Sequence, residues 1–202
     1  MKIIAHRAND IDKIKENSKS AILNALNKEY IDGVEFDIRL TKDNYFVLNH
    51  NYTYKDHIIK NTYLKDLKLD LLNDVLKNIK SNKIILIDIK LEDKDYKKLA
   101  NLLIKVLKKY NKLNIYLCSF NYDLCIYLKN NTKYKVGLLI SNIINKDKDT
   151  SIFDFISINY KIYKKENKDT FVWTINKKDI FKKFINTNVN IITDKPYLIL
   201  KK

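Results

Sequence analysis

Gly33-Val-Glu-Phe-Asp-Ile-Arg-Leu-Thr-Lys-Asp-Asn-Tyr-Phe-Val-Leu-Asn-His50 is the stretch on which the reading of this chain turns. Side chains of a strand alternate between faces, so Glu35 and Asp37 share one face while Val34, Phe36 and Ile38 share the other. Two like charges in an apolar run need something positive between them. A hard divalent cation is the obvious candidate. Thr41-Lys-Asp-Asn44 has turn composition, and pairing of Val34–Leu40 with Tyr45–His50 about that turn would bring His50 roughly opposite Glu35. The alternative is a surface hairpin with an exposed acidic face and a chance histidine, and the rest of the chain has to decide between them.

The same turn decides the sheet. Outward from it, candidate strands fall at Lys2–Arg7, Lys83–Lys90, Ile115–Phe120, Tyr134–Ile140, Ile152–Asn159, Phe171–Ile175 and Val189–Ile192. Apolar residues at helical spacing mark helices at Ser20–Tyr30, Leu71–Ile79, Asp95–Tyr110, Tyr122–Lys129 and Lys178–Asn186. Alternating strands and helices argue for a parallel sheet of βαβ units. With the two strands of the opening stretch the count is nine, one more than a (β/α)8 TIM barrel requires. Parallel neighbours need a connection of a dozen residues or more. Either the hairpin is therefore partly antiparallel, or Val189–Ile192 is a stub at the rim. The expected fold is a compact (β/α)8 barrel in one domain, residues 1–202, with a doubly wound open sheet as runner-up. Asn51–Lys68 shows no clear periodicity and reads as a loop over the site. Lys161–Asp169 is too polar for a helix.

Bulk properties narrow the function classes. The chain has 202 residues, 46% of them apolar, enough for an ample core. The net charge of +15 would suit nucleic acid or an anionic membrane surface. The lysines are spread along the whole chain and accompany abundant Asn, which points to a solvated surface and away from nucleic acid. Possible peripheral contact with an anionic membrane stays open. No apolar run approaches the roughly 20 residues of a membrane span, and no signal-peptide apolar region follows Met1. Cys118 and Cys125 have no metal-type spacing and suggest reduced thiols. The expectation is a soluble, cytoplasmic protein.

The polar residues that stand out lie at or near the C-terminal ends of the strands: His6, Arg7, Glu35, Asp37, His50, Asp88, Lys90, Ser119 and Trp173. That is the face on which barrel enzymes keep their chemistry. Three carboxylates, Glu35, Asp37 and Asp88, suit Mg²⁺ or Ca²⁺ better than zinc. Two histidines, His6 and His50, suit general acid and general base duty near neutral pH. Arg7 and Lys90 suit an anionic phosphoryl group. The inferred reaction class is phosphate ester hydrolysis.

The ordered set His6-Arg7, Glu16-Asn17-Ser18, Gly33-Val-Glu-Phe-Asp-Ile-x-x-Thr-x-Asp43 and His50 closely resembles the opening of the glycerophosphodiester phosphodiesterases. Ile-Asp88-Ile-Lys90, Ser119-Phe120, Val172-Trp-Thr-Ile-Asn176 and Ile-Thr193-Asp-Lys-Pro196 extend the resemblance over nearly the whole chain. It implies a (β/α)8 barrel that uses a divalent metal to hydrolyse glycerophosphodiesters, small-molecule substrates, to glycerol 3-phosphate and an alcohol. By the same likeness Glu35, Asp37 and Asp88 hold the metal and His6 and His50 are the acid–base pair, in either order. Arg7 and Lys90 hold phosphate, and Trp173 lines the glycerol pocket. In that family the glycerol hydroxyl beside the phosphorus is thought to attack first, giving a cyclic phosphate that water opens. Lysophospholipase D-type action on lysolipids and a catalytically weak phosphoester-binding homologue are the alternatives. Three positions depart from the family's pattern: Ala8 replaces a glycine, Asn51 an aspartate beside His50, and Asp88 a glutamate. Glu16 and Asn17 have a second reading as caps of the helix that starts near Ser18.

Overall fold

The structure, a computed structural model, describes residues 1–12, 14–91, 95–165 and 167–199. The strands are β1 (Ile3–Ala5), β2 (Gly33–Leu40), β3 (Phe46–Leu48), β4 (Thr53–Tyr54), β5 (His57–Ile58), β6 (Ile84–Ile89), β7 (Ile115–Ser119), β8 (Lys135–Ile140), β9 (Phe155–Asn159), β10 (Asp169–Trp173) and β11 (Val189–Thr193). The α-helices are α1 (Lys19–Leu26), α2 (Leu72–Asn78), α3 (Tyr96–Leu107), α4 (Tyr122–Asn131) and α5 (Lys178–Lys182).

Eight strands pair in parallel around a closed ring, β1-β2-β6-β7-β8-β9-β10-β11. β1 closes it, with Ile4 beside Gly33 on one side and Ile3 beside Ile191 on the other. The ninth strand of the main sheet is β3, antiparallel to β2 with Ile38 beside Leu48 and Leu40 beside Phe46. The hairpin alternative therefore holds, and β11 is a full barrel strand. The turn is built as its composition indicates: Asn44 takes a left-handed φ of 65°, and the Thr41 hydroxyl accepts from the Tyr45 amide at 3.0 Å.

Alternation along the strands sorts residues into two cores. Val34, Phe36, Ile38, Ile85 and Ile87 point outward into a layer shared with Ala21, Ile22, Leu99 and Leu103 of the helices. Ile4, Ile84, Leu86, Tyr116, Phe155, Phe171 and Ile192 fill the barrel interior. Gly137 faces that interior without a side chain, which leaves room for the Phe155 ring; a Cβ there would meet ring carbons at 2.4 Å.

Five helices match the five expected, with α5 ending at Lys182 rather than at Asn186. Polar, charged segments connect β8 to β9 and β9 to β10 without a helix among the described residues. Residues 51–68 differ from expectation. They hold the β4–β5 hairpin and two 3₁₀ turns, and Val47, Ile59 and Leu67 form a small core of their own there. Burial of Ile59 and Leu67 against β3 draws the segment to the barrel's flank, and it does not line the cavity described below. No described helix is long and apolar enough to cross a membrane.

Candidate active site

The C-terminal end of the barrel opens on a cavity of about 180 Å³. Eight of the nine residues singled out in the sequence line it: His6, Arg7, Glu35, Asp37, His50, Asp88, Lys90 and Trp173. The ninth, Ser119, is buried and donates its hydroxyl to the Ile89 carbonyl at 2.7 Å. β2 supplies Glu35 and Asp37 from its inward face. β6 lies beside it in register, with Asp37 next to Asp88. Carboxylate oxygens of Glu35, Asp37 and Asp88 come within 4.8 Å of one another, and all three residues are buried. Ligand atoms about 2.3–2.6 Å from one calcium-sized ion can lie up to roughly 5 Å apart, so this spacing suits a shared ion.

The cradle around these carboxylates is polar. Beyond β1 the chain turns through His6–Ala8 with Arg7 at φ 51° and Ala8 at φ 55°. A left-handed φ is the conformation that glycine adopts most readily, and at Ala8, where the family's pattern has a glycine, a residue with a Cβ takes it. It aims the Arg7 amide at Glu35 Oε2, 2.9 Å away. Lys90 Nζ bridges Asp37 Oδ1 at 2.9 Å and Asp88 Oδ2 at 2.5 Å. Asn17 clamps Asp37 twice, its Nδ2 donating to Oδ2 at 2.8 Å and its Oδ1 accepting from the Asp37 amide at 2.9 Å. The helix cap is Ser18, whose hydroxyl accepts from Ala21 N at 3.1 Å. Glu16 and Asn17 thus serve the site and not the helix: Glu16 Oε1 receives Arg7 Nη1 at 2.9 Å.

Each histidine has a distinct partner. His6 Nδ1 lies 2.6 Å from Asp194 Oδ1, and its Nε2 is 3.9 Å from Glu35 Oε2. Asn176 in turn donates to Asp194 and accepts from the Asp194 amide at 2.9 Å. His50 Nδ1 lies 3.1 Å from Asn51 Oδ1. The guanidinium of Arg39 grips the His50 carbonyl, with Nε at 3.1 Å. Asp194, Asn176 and Arg39 were not among the residues expected at the site. Arg39 continues the alternation of Glu35 and Asp37, a signal present in the sequence. The Asp194–His6 contact joins residues 188 apart and had no local signal.

Burial raises the Glu35 carboxyl to about 8, with the Asp37 charge adding to it. Burial also raises Asp88, to about 6, although Lys90 opposes the shift. For Asp37 burial is outweighed by the charge and hydrogen bond of Lys90 and by Asn17, and its carboxyl sits below the ordinary value. Burial would lower His6, but the hydrogen bond to Asp194 and the charge of Glu35 reverse this and raise it. Burial lowers His50, and the Asn51 hydrogen bond only partly offsets it.

The donor set fits a divalent metal ion. It consists of oxygens alone, it carries more negative charge than Lys90 neutralises, and Asp88 Oδ1 is buried without a hydrogen-bond partner. An orphaned buried carboxylate oxygen is expensive unless a cation completes it. On the other side of the cavity Trp173 meets Phe120 edge-on at 6.1 Å, and Trp173 Nε1 and Ser157 Oγ are buried donors without partners.

A sequence model of the Glycerophosphoryl diester phosphodiesterase family matches residues 6–85, which include His6, Glu35, Asp37 and His50. The glycerophosphodiester phosphodiesterase of Caldanaerobacter subterraneus is 26% identical to this chain, over 98% of it and 96% of the relative. The chain is thus similar to this family in sequence over its first strands and to this relative over nearly its whole length. A glycerophosphodiester phosphodiesterase from Parabacteroides distasonis superposes with a TM-score of 0.86 at 24% identity, over 99% of this chain and 95% of that one. An Oleispira antarctica phosphodiesterase, solved with the product sn-glycerol-3-phosphate, gives 0.85 at 18% identity over the same shares. The barrel fold is thus shared with these two phosphodiesterases from end to end. The family match at the level of sequence stops short of Asp88, Lys90 and Trp173, which the closed barrel brings to the same cavity.

Proposed function

We propose that this chain is a metal-dependent phosphodiesterase that hydrolyses glycerophosphodiesters to glycerol 3-phosphate and an alcohol. The observation that carries this reading is one cavity in which three buried carboxylates stand between two histidines and two cations. Glu35, Asp37 and Asp88 would hold Mg²⁺ or Ca²⁺, which when bound draws charge from the phosphate oxygens. Arg7 and Lys90 bind the remaining phosphate charge. Trp173 packs on the glycerol carbons, and its unpaired Nε1 is available to an oxygen of the substrate.

The partners of the histidines divide the proton work. Asp194 favours the charged form of His6, so His6 is the acid, giving a proton from Nε2 to the departing alkoxide as its P–O bond breaks. Asn51 offers Oδ1 to Nδ1–H of His50, which leaves the Nε2 lone pair free. His50 is then the base that takes the proton from the attacking hydroxyl as the new P–O bond forms. The buried free thiols of Cys118 and Cys125 fit a cytoplasmic setting for this chemistry.

The test is release of glycerol 3-phosphate from glycerophosphocholine, followed with a coupled assay in the presence of Mg²⁺ or Ca²⁺. Release should stop with EDTA, and His50→Ala should lower kcat by about 10²–10⁴-fold. Absence of release from every glycerophosphodiester tried, with either metal, would overturn the reading.

A further inference from the structure

The turn that follows β8 carries a feature that the phosphodiesterase chemistry does not use. Ile143 is 81% exposed, the highest value among the large apolar side chains described, and Ile144 beside it is 45% exposed. Their presentation is built. The Ser141 amide donates to the Ile144 carbonyl at 2.9 Å, and Ser141 Oγ accepts from the amides of Ile144 at 2.9 Å and Ile143 at 3.3 Å. Asn145 takes a left-handed φ of 63°, and its Nδ2 donates to the carbonyls of Phe120 and Leu139 at 2.8 and 2.9 Å. Phe120 and Leu139 line the catalytic cavity. A tight turn pinned to the cavity wall thus holds two branched apolar side chains out into water at the rim. Single exposed apolar residues are ordinary, but an adjacent pair held on a hydrogen-bonded turn beside a cavity marks a contact surface.

The charge around the tip indicates what it contacts. Lys146 and Lys148 follow it, the latter over the Tyr122 ring at 5.0 Å, with Asp147 and Asp149 interleaved. Lys161, Lys177 and Lys195 are exposed beyond the C-terminal ends of β9, β10 and β11, the next three strands around the ring. The chain as a whole carries a net charge of +15, so an anionic surface attracts it and these lysines can meet that surface first. Asp147, 3.9 Å from Lys146 Nζ, and Asp149 balance the lysines next to the tip, so the positive excess at this rim comes from Lys161, Lys177 and Lys195. An apolar tip beside exposed lysines is an arrangement by which proteins seat themselves in the headgroup layer.

We propose that the β8–β9 turn docks the barrel rim on an anionic lipid bilayer, with Ile143 and Ile144 inserted and the lysines against the headgroups. Docked this way, the cavity mouth meets the layer in which phosphodiesters of lysophospholipids lie. The substrate class then includes glycerophosphodiesters still anchored by an acyl chain. This substrate assignment rests on the proposed phosphodiesterase function; the docking does not.

The test is co-sedimentation of the full chain with vesicles of phosphatidylcholine and phosphatidylserine in equal parts, against phosphatidylcholine alone. Wild-type protein should bind the anionic vesicles, less so at high salt. The double variant Ile143→Ser, Ile144→Ser should lower the partition coefficient by at least about tenfold. Ile185→Ser, exposed near the opposite end of the barrel, should bind as wild type. Unaltered melting temperatures show that the variants fold, and turnover of water-soluble glycerophosphocholine should be the same in all three. Turnover of lysophosphatidylcholine in the anionic vesicles should fall in the double variant alone. Wild-type protein that ignores anionic vesicles, or a double variant that binds as wild type, overturns the proposal. So does a concentration-dependent dimer that the double variant abolishes, since the tip would then face a second copy of the chain. Binding lost in the double variant, with no phosphodiester turned over by any form, upholds the docking and rejects the phosphodiesterase reading.

Discussion

Asn51 lies 3.1 Å from His50 Nδ1 at the position where the family's pattern has an aspartate. An amide oxygen fixes the tautomer without a charge to hold the imidazolium, and burial carries the His50 imidazole below its usual value. A base works only when neutral, so activity falls as pH falls through its pKa. Asn51→Asp adds a negative charge beside His50 and raises that pKa. The acidic limb of kcat/KM should therefore move to higher pH, as a pH–rate profile would show. His6 is the converse case. Asp194 and Glu35 raise it despite burial, and an acid works only when protonated. Asp194→Asn should move the alkaline limb to lower pH and lower kcat by about 10- to 100-fold, the worth of one charge-assisted hydrogen bond. Asp194→Glu would not substitute fully, because the Asn176 side chain holds both the shorter carboxylate and the residue 194 amide in place.

Among the elements, β2 does the most. Its eight residues run along the barrel with Glu35 and Asp37 inward, Val34, Phe36 and Ile38 outward, and β3 folded back on its far end. It was legible from sequence because a period of two shows itself in any short window. β8 is governed by a contact that no window shows. Gly137 abuts Phe155, whose ring is packed between Tyr116 at 5.4 Å and Phe171 at 5.2 Å. With the ring held on both sides it cannot move aside for a new methyl. Gly137→Ala should destabilise the fold by about 1–3 kcal/mol, measured by urea denaturation. The segment after β3 shows no pattern in the sequence for a related reason. Ile59 and Leu67 are too far apart to form a pattern, yet they pack together with Val47 once the chain turns back on β3.

Across the whole molecule, three inward carboxylates must share one small volume, and this couples stability to pH and to cations. Burial raises Glu35 and Asp88 in the folded chain, to about 8 and about 6. The folded state then binds more protons than the unfolded one, so stability falls as pH rises from about 4, the unfolded carboxylate range, through those values. A divalent cation that binds only the folded carboxylates reverses the loss. Calorimetry should show metal-free protein melting lower at pH 8.5 than at pH 5.5. Added Mg²⁺ or Ca²⁺ should raise the melting temperature more at the higher pH. The sequence by itself determined the alternation that points Glu35, Asp37 and Asp88 inward, the five helices, and nine strand-end residues of which eight share the cavity. These follow from local periodicity and from the placement of polar residues at strand ends. Only the tertiary structure decided that β3 is the antiparallel ninth strand and that β1 closes the ring between β2 and β11. It alone brought Asp194 to His6 and set Ile143 on a turn pinned to the cavity wall. Such contacts join residues far apart in the chain, and closure of the barrel, not any local preference, brings them within reach.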